Sequence, residues 1–421
     1  MSIRGLIVLS EILSSLSAFG QIPGNDLARR ALEQRALTQL AAGLSTDDRI
    51  RMYQRLAQAR PDQAHYQNLL AAAFLQKVRE TTDFSYLDRA SRILDGVLTE
   101  NGEDYEALRL RTEVELERHE FAQAAESARR LIAIAPNDSW NFGTLGDALI
   151  ELGEYDQAAD AYQRMVDIKP DLASYNRAAY FRFLYGDAAG AIDIMKQAIA
   201  AGSPMPENIA WCQVELGSFY LKFGSLDDAE RAYSAALQLF RNYHSALAGL
   251  GRVAKLRGKI SPAIEFYKNA QMGTPLPEYA AALHDLYLAG GNKEEARKQM
   301  ELIDVTDRLG QAAKERLNRN LAMIYADHDC KLDRALQLAK AELETRKDIY
   351  TWDAVAWALF KNGKAEEAQA AIQKALALHT PEPMFYTHAL KIARALGRTQ
   401  EAEEYRRQAL AFNPSFQENA F

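Results

Sequence analysis

The sequence predicts an all-α chain built as a solenoid of helix-turn-helix units, and three observations carry that prediction. The first is a beat. Alanines stand at Ala90, Ala124, Ala158, Ala191, Ala229, Ala263, Ala296, Ala335, Ala368 and Ala402, with gaps of 34, 34, 33, 38, 34, 33, 39, 33 and 34 residues. The second is what travels with the beat. A glycine lies five residues before many of these alanines (Gly153, Gly186, Gly224, Gly258, Gly291, Gly363, Gly397), and a larger apolar residue four after (Leu94, Tyr162, Met195, Tyr233, Tyr267, Met300, Ile372). The third is composition: 12 Pro and 23 Gly in 421 residues are too few for a β-rich fold with its many turns.

Each element of the unit has a physical reason. In Phe142-x-x-Leu145-Gly146-x-x-Leu149 apolar and small residues recur at helical spacing, which makes a first helix. Gly146, Gly217, Gly251 and Ala356 are small enough for a neighbouring helix to approach closely. Gly153 and its equivalents supply a turn with φ > 0. The second helix runs through Ala158 and Tyr162 and closes at Pro170, a slot shared by Pro136, Pro275 and Pro414, because proline cannot continue a helix.

These residues resemble the tetratricopeptide repeat, a 34-residue helix-turn-helix unit. The closest units are Phe142-Leu145-Gly146-Leu149-Ala158-Tyr162-Pro170 and Leu247-Leu250-Gly251-Ala254-Ala263-Tyr267-Pro275. Leu216-Gly217-Tyr220-Ala229-Tyr233 and Trp352-Ala356-Leu359-Ala368 follow, and the resemblance covers residues 30–416. It implies a right-handed superhelix whose first helices line a concave face, where peptides or partner segments lie. There are departures: Arg111-Thr112 replaces the usual Leu-Gly, Cys330 falls where the turn glycine belongs, and residues 79–83 carry an insertion.

The chain divides into a leader at 1–20, a helical cap or degenerate repeat at 21–61, about ten repeats over 62–416 and a tail at 417–421. The two long gaps mark seams at residues 202–207 and 303–313. Pro-x-Pro runs at Pro204–Pro206, Pro275–Pro277 and Pro381–Pro383 punctuate the array, one proline stopping a helix and the next opening another. In the leader, Arg4 precedes an apolar run ending at Ala18-Phe19-Gly20, as in a secretory signal peptide, although Glu11 interrupts it. An amphipathic first helix is the alternative. No later stretch reaches the ~18–20 apolar residues of a membrane span.

Chemistry is sparse. A net charge of −7 argues against nucleic acid as partner. Gly249-Leu250-Gly251-Arg252-Val253-Ala254 fits a dinucleotide fingerprint superficially but lies inside a first helix, where the preceding strand is missing. Phosphate-binding, metalloprotease, nucleophile-elbow and Cys-x-x-Cys motifs are absent from the sequence. His328-Asp329-Cys330 reads as a solvated turn rather than a metal site, and Cys212 and Cys330 sit too many units apart to bridge if a unit touches only its neighbours. The reading is a non-enzymatic chain with no cofactor and no metal.

What remains is surface. Projecting the resemblance onto this chain places Trp140, Asp147, Tyr180, Phe183, Trp211 and Leu221 along one stretch of groove, then Arg252, Lys255 and Asp285, then Tyr350, Asp353, Trp357, Phe360 and Met384. For each of these aromatics core packing competes with groove lining. Trp352 is assigned to the core, and Trp357, about 140° away around the same helix, to the groove with Phe360. The function expected is a monomeric, non-catalytic scaffold for a protein or peptide segment, exported to the cell envelope. The alternative is a cytosolic sensor that tightens around a small peptide or effector.

Overall fold

A computed structural model describes residue 41 and residues 43–313, 318–416 and 418; the leader, most of the 21–61 segment and most of the tail lie outside the described residues. The described residues form 21 helices and no strand. Helix α1 (Thr46–Ala59) precedes ten helix pairs. Units 1 to 5 are α2 (Ala64–Thr81) with α3 (Ser85–Glu100), α4 (Tyr105–Glu117) with α5 (Phe121–Ile134), α6 (Ser139–Glu151) with α7 (Tyr155–Ile168), α8 (Leu172–Leu184) with α9 (Ala188–Ala201), and α10 (Pro206–Lys222) with α11 (Leu226–Leu239). Units 6 to 10 are α12 (His244–Leu256) with α13 (Ile260–Gly273), α14 (Pro277–Ala289) with α15 (Lys293–Ala313), α16 (Asn318–Asp327) with α17 (Leu332–Leu343), α18 (Ile349–Lys361) with α19 (Ala365–Ala375), and α20 (Pro383–Ala395) with α21 (Thr399–Phe412).

Within a unit the recurring residues do what their sizes demand. Ten beat alanines, from Ala90 to Ala402, are all buried. The tyrosine four residues on packs flat against the small residue of the first helix. A methyl group on Gly217 or Gly251 would come within 2.7 Å of the Tyr233 or Tyr267 ring, and one on Gly146 would strike Tyr162. The seven turn glycines all take positive φ, between 71° and 81°. Where the glycine is missing, His119 takes the strained conformation at φ 58°, and around Cys330 it falls on Asp329 and Lys331. First helices begin on aspartate caps at Asp104, Asp138, Asp171 and Asp348, each accepting a backbone N–H of the first turn. At α10, α14 and α20 the opening residue is Pro206, Pro277 or Pro383, as the Pro-x-Pro runs anticipate.

The two seams take a different form from the one expected. Most first helices have 13 residues, whereas α10 has 17, so the first insertion adds about one turn of helix. The second is absorbed into α15, which runs unbroken for 21 residues through the stretch read as a seam. Residues 79–81 likewise extend α2 to 18 residues, and Thr82 caps it in the left-handed conformation. Helix, once nucleated, is extended at small cost, so extra residues join an existing helix rather than forming a loop.

The expectation that a unit touches only its neighbours is corrected. The Glu151 carbonyl accepts the backbone N–H of Lys347 at 2.7 Å, and the Tyr155 hydroxyl accepts that of Ile349 at 2.9 Å. Thr380 Oγ1 donates to the Leu184 carbonyl at 2.5 Å, and Thr274 Oγ1 to the Thr81 carbonyl at 3.3 Å. Each pair joins the turn of one unit to the loop that follows the fifth unit after it. Successive turns of the coil therefore stack. Arg79 on α2 also bonds Asn208 at 2.8 Å and Glu207 at 3.3 Å, and Lys222 on α10 pairs with Glu382 at 2.9 Å. One buried apolar cluster joins Leu149, Phe183 and Phe219 to Ile349, Trp357 and Phe385. A quasi-linear array could not build such a core; a closed coil can.

Gly153 sits at this junction. A Cβ there would lie 2.8 Å from the Lys347 carbonyl, while Gly258, with φ 71° against 75°, has nothing within 4 Å. Gly153→Ala and Gly258→Ala should share a backbone strain of about 1–2 kcal/mol. Denaturant unfolding should show an additional loss for Gly153→Ala alone, because only that methyl pushes two turns of the coil apart.

Candidate functional site

Closing the coil turns the concave face into an interior, and two cavities open there. The first, of about 470 Å³, is lined by residues of α2, α4, α6, α8 and α10. Trp140, Tyr180 and Trp211, from three successive units, converge on it and are each half-buried. Most of the charge on its wall is already paired. Arg177 grips Asp147 through two hydrogen bonds, Nε to Oδ1 at 2.8 Å and Nη2 to Oδ2 at 2.6 Å. Arg79 is held by Glu207 and Asn208, and Glu151 by Arg346.

Two carboxylates are left over. Glu113 and Glu117 stand four residues apart on α4, hence on one face, and both line the cavity. Among the described residues no hydrogen bond or ion pair within 4 Å reaches either. Burial pushes the Glu117 carboxyl up, and the Glu113 charge beside it pushes further, to about 7. Burial raises Glu113 as well, against the opposing pull of Arg79, Arg109 and Arg177. Across the same cavity the buried Asn176 Oδ1 has no hydrogen-bond partner among the described residues. Acceptors without donors, beside aromatic faces, describe a place for a cation or an amide N–H.

The second cavity, of about 330 Å³, lies among α12, α14, α16, α18 and α20. Lys255, Asp285, Trp357 and Met384 line it together with Asp327, His328, Lys361, His388 and Lys391. Trp357 Nε1 donates to Asp327 Oδ1 at 2.7 Å, and its ring stacks on His388 with centroids 4.1 Å apart. His388 Nδ1 lies 2.8 Å from Asp353 Oδ1, and burial raises the Asp353 carboxyl despite that contact.

Models of the tetratricopeptide repeat match residues 115–179, 214–281 and 355–415. The chain carries tetratricopeptide repeats. Among solved structures, it is similar to the APC/C hetero-tetramer Cut9–Hcn1 at 17% identity, over 91% of this chain and 67% of that one, with a TM-score of 0.52. At that identity the likeness establishes the fold, an all-α tetratricopeptide-repeat solenoid. Lower similarities include the human IFIT1 dimer with m7Gppp-AAAA (14% identity, 82% and 81% covered, TM-score 0.47) and Pseudomonas aeruginosa pilF (17%, 48% and 92%, 0.42). No curated protein matches the chain.

The tetratricopeptide register separates the sequence candidates. Trp140, Asp147, Tyr180 and Trp211 meet in the first cavity; Lys255, Asp285, Trp357 and Met384 meet in the second. Phe183 and Leu221 are core instead, at 0% and 6% exposure, with the Phe183 ring stacked 4.9 Å from that of Phe219. Asp353 is buried too, held by His388. Arg252 lines neither cavity. Tyr350 also lines neither, its ring 5.7 Å from the Arg319 guanidinium and its hydroxyl 3.5 Å from Glu382. Phe360 stacks on Trp357 at 5.3 Å.

Register reasoning missed Glu113 and Glu117. Glu113 stands one 34-residue period before Asp147, so the beat that named Asp147 could have named it. It also assigned the two tryptophans of α18 the wrong way round in depth. Trp357 is only 4% exposed and hydrogen-bonded, whereas Trp352 is half-buried under the Lys374 ammonium, 3.7 Å from its ring centroid. Interior and core both bury a side chain in a closed coil, so facing the concave side does not leave Trp357 exposed. Trp357→Ala should cost about 3–5 kcal/mol in chemical denaturation, and Trp352→Ala about 1–2 kcal/mol.

Proposed function

We propose that this tetratricopeptide array is a non-catalytic scaffold that takes a protein or peptide segment into the interior of its coil and holds a basic side chain of that segment in the first cavity. One observation carries the reading: three half-buried aromatics converge there on two carboxylates that pair with nothing else among the described residues. Arg79 and Arg177 offset Glu207 and Asp147, so Glu113 and Glu117 leave the wall negative. A Lys or Arg side chain supplies the missing charge, stacks its cation on Trp211, and can give an N–H to Asn176. Arg109 of this chain already lies 4.6 Å over the Trp140 ring, which leaves Trp211 as the aromatic for the incoming cation. The exported location rests on the leader pattern of residues 1–20, and a mature chain beginning at Gln21 would support it.

The test is an oriented library of short extended peptides, read by fluorescence polarisation on the full chain. Lys or Arg should be selected at one position, and the double variant Glu113→Gln/Glu117→Gln should lose that preference by about ten-fold or more, ~1.4 kcal/mol. Affinity should rise with pH through about 7, since the cation needs the ionised Glu117 and protonation removes its charge. Selection of acidic residues, or a preference that survives the double variant, would overturn the reading.

A further inference from the structure

We propose that His284, Asp285 and His328 form a binding site for one divalent cation of the zinc class. The three residues come from two neighbouring units. His284 and Asp285 are adjacent on α14, and His328 follows the end of α16. One ligand atom from each lies within 4.8 Å of the others, and the two imidazoles meet edge to face with centroids 5.1 Å apart. Zinc bonds of ~2.0–2.1 Å in a tetrahedral shell want donors closer than this, a contraction that side-chain rotation can supply.

The hydrogen bonds of the rings fix which nitrogen carries the proton. His284 Nδ1 lies 2.9 Å from the Ala296 carbonyl, and His328 Nδ1 lies 2.7 Å from the Ile324 carbonyl. A carbonyl only accepts, so each Nδ1 must carry its proton. In a neutral ring Nε2 is then a bare lone pair. His328 Nε2 faces Asp285 Oδ1 at 3.0 Å, an acceptor against an acceptor unless something positive stands between them. That positive group is either an extra proton on His328 or a metal ion. Both rings are held at Nδ1 by a backbone carbonyl, and His328 turns its other nitrogen to Asp285, the outer-shell arrangement that fixes metal-binding histidines. Two imidazoles and a carboxylate suit zinc and leave a fourth position open.

Asp285 and His328 both line the second cavity, so that position opens towards it. Lys255, Lys361 and Lys391 line the same space, and Lys255 Nζ is 3.8 Å from Asp285 Oδ2. The open position therefore favours water or a carboxylate as fourth ligand over a cationic group. This site is independent of the first cavity and its peptide.

Calorimetric titration of the full, metal-stripped chain with ZnCl₂ tests the site. One equivalent should bind. His284→Ala and His328→Ala should each weaken binding by about ten-fold or more, the nearly isosteric Asp285→Asn should weaken it too, and His65→Ala, an exposed histidine elsewhere, should not. Co²⁺ should give the visible bands of a four-coordinate nitrogen and oxygen site without a thiolate band, since Cys330 is not a ligand. Circular dichroism of each variant separates lost ligands from lost fold. Failure to take up Zn²⁺, or equal uptake by the His284→Ala/His328→Ala double variant, would show that a second proton on His328 fills the gap and overturn the proposal.

Discussion

The contact between successive turns of the coil governs the rest of the molecule. Backbone and hydroxyl groups of Thr81, Glu151, Tyr155 and Leu184 meet those of Thr274, Lys347, Ile349 and Thr380, and this stacking turns a groove into an interior. An open solenoid would leave Glu207, Lys222 and Glu342 in water. Here the side chains of Glu207 and Glu342 keep only 2% and 1% of their exposure, and ion pairs and hydrogen bonds hold them. Removing one partner would leave a charge stranded in a region of low polarity, which costs more than the pair contributes.

Much of the local architecture could be read from the sequence because it depends on neighbours in the chain. The alanine beat, the φ > 0 glycines and the opening prolines each answer a requirement set within a few residues, and the helix pairs follow from them. The stacking of turns had no such signal. A backbone N–H at Lys347 and a carbonyl at Glu151 are groups that nearly every residue carries, so nothing in their side chains announces the pairing. Missing it left out the reach of the core, which runs in one cluster from Leu149 and Phe219 to Ile349 and Phe385.

The candidate cavities were half legible for the same reason. Register could project Trp140, Tyr180 and Trp211 to one side, since their units follow one another. It could not show that Arg79 and Arg177 are already engaged, and therefore that Glu113 and Glu117 are the acids left over. His328 looked like a solvated turn because its partners lie 43 and 44 residues earlier, on another unit's first helix. Helix α15 helps to bring them together, its Ala296 carbonyl accepting from the His284 ring.

Stacked turns also constrain how such a gene can change. An open array tolerates the duplication or loss of a whole unit, since each unit meets only those beside it. In this coil Leu184 and Thr380 are partners because a set number of units lies between them. Deleting one unit from that span would bring a different loop opposite Leu184 and shift the other pairings that span the deletion. Residues can be added inside helices, as α10 and α15 show, but the unit count between stacked positions is locked.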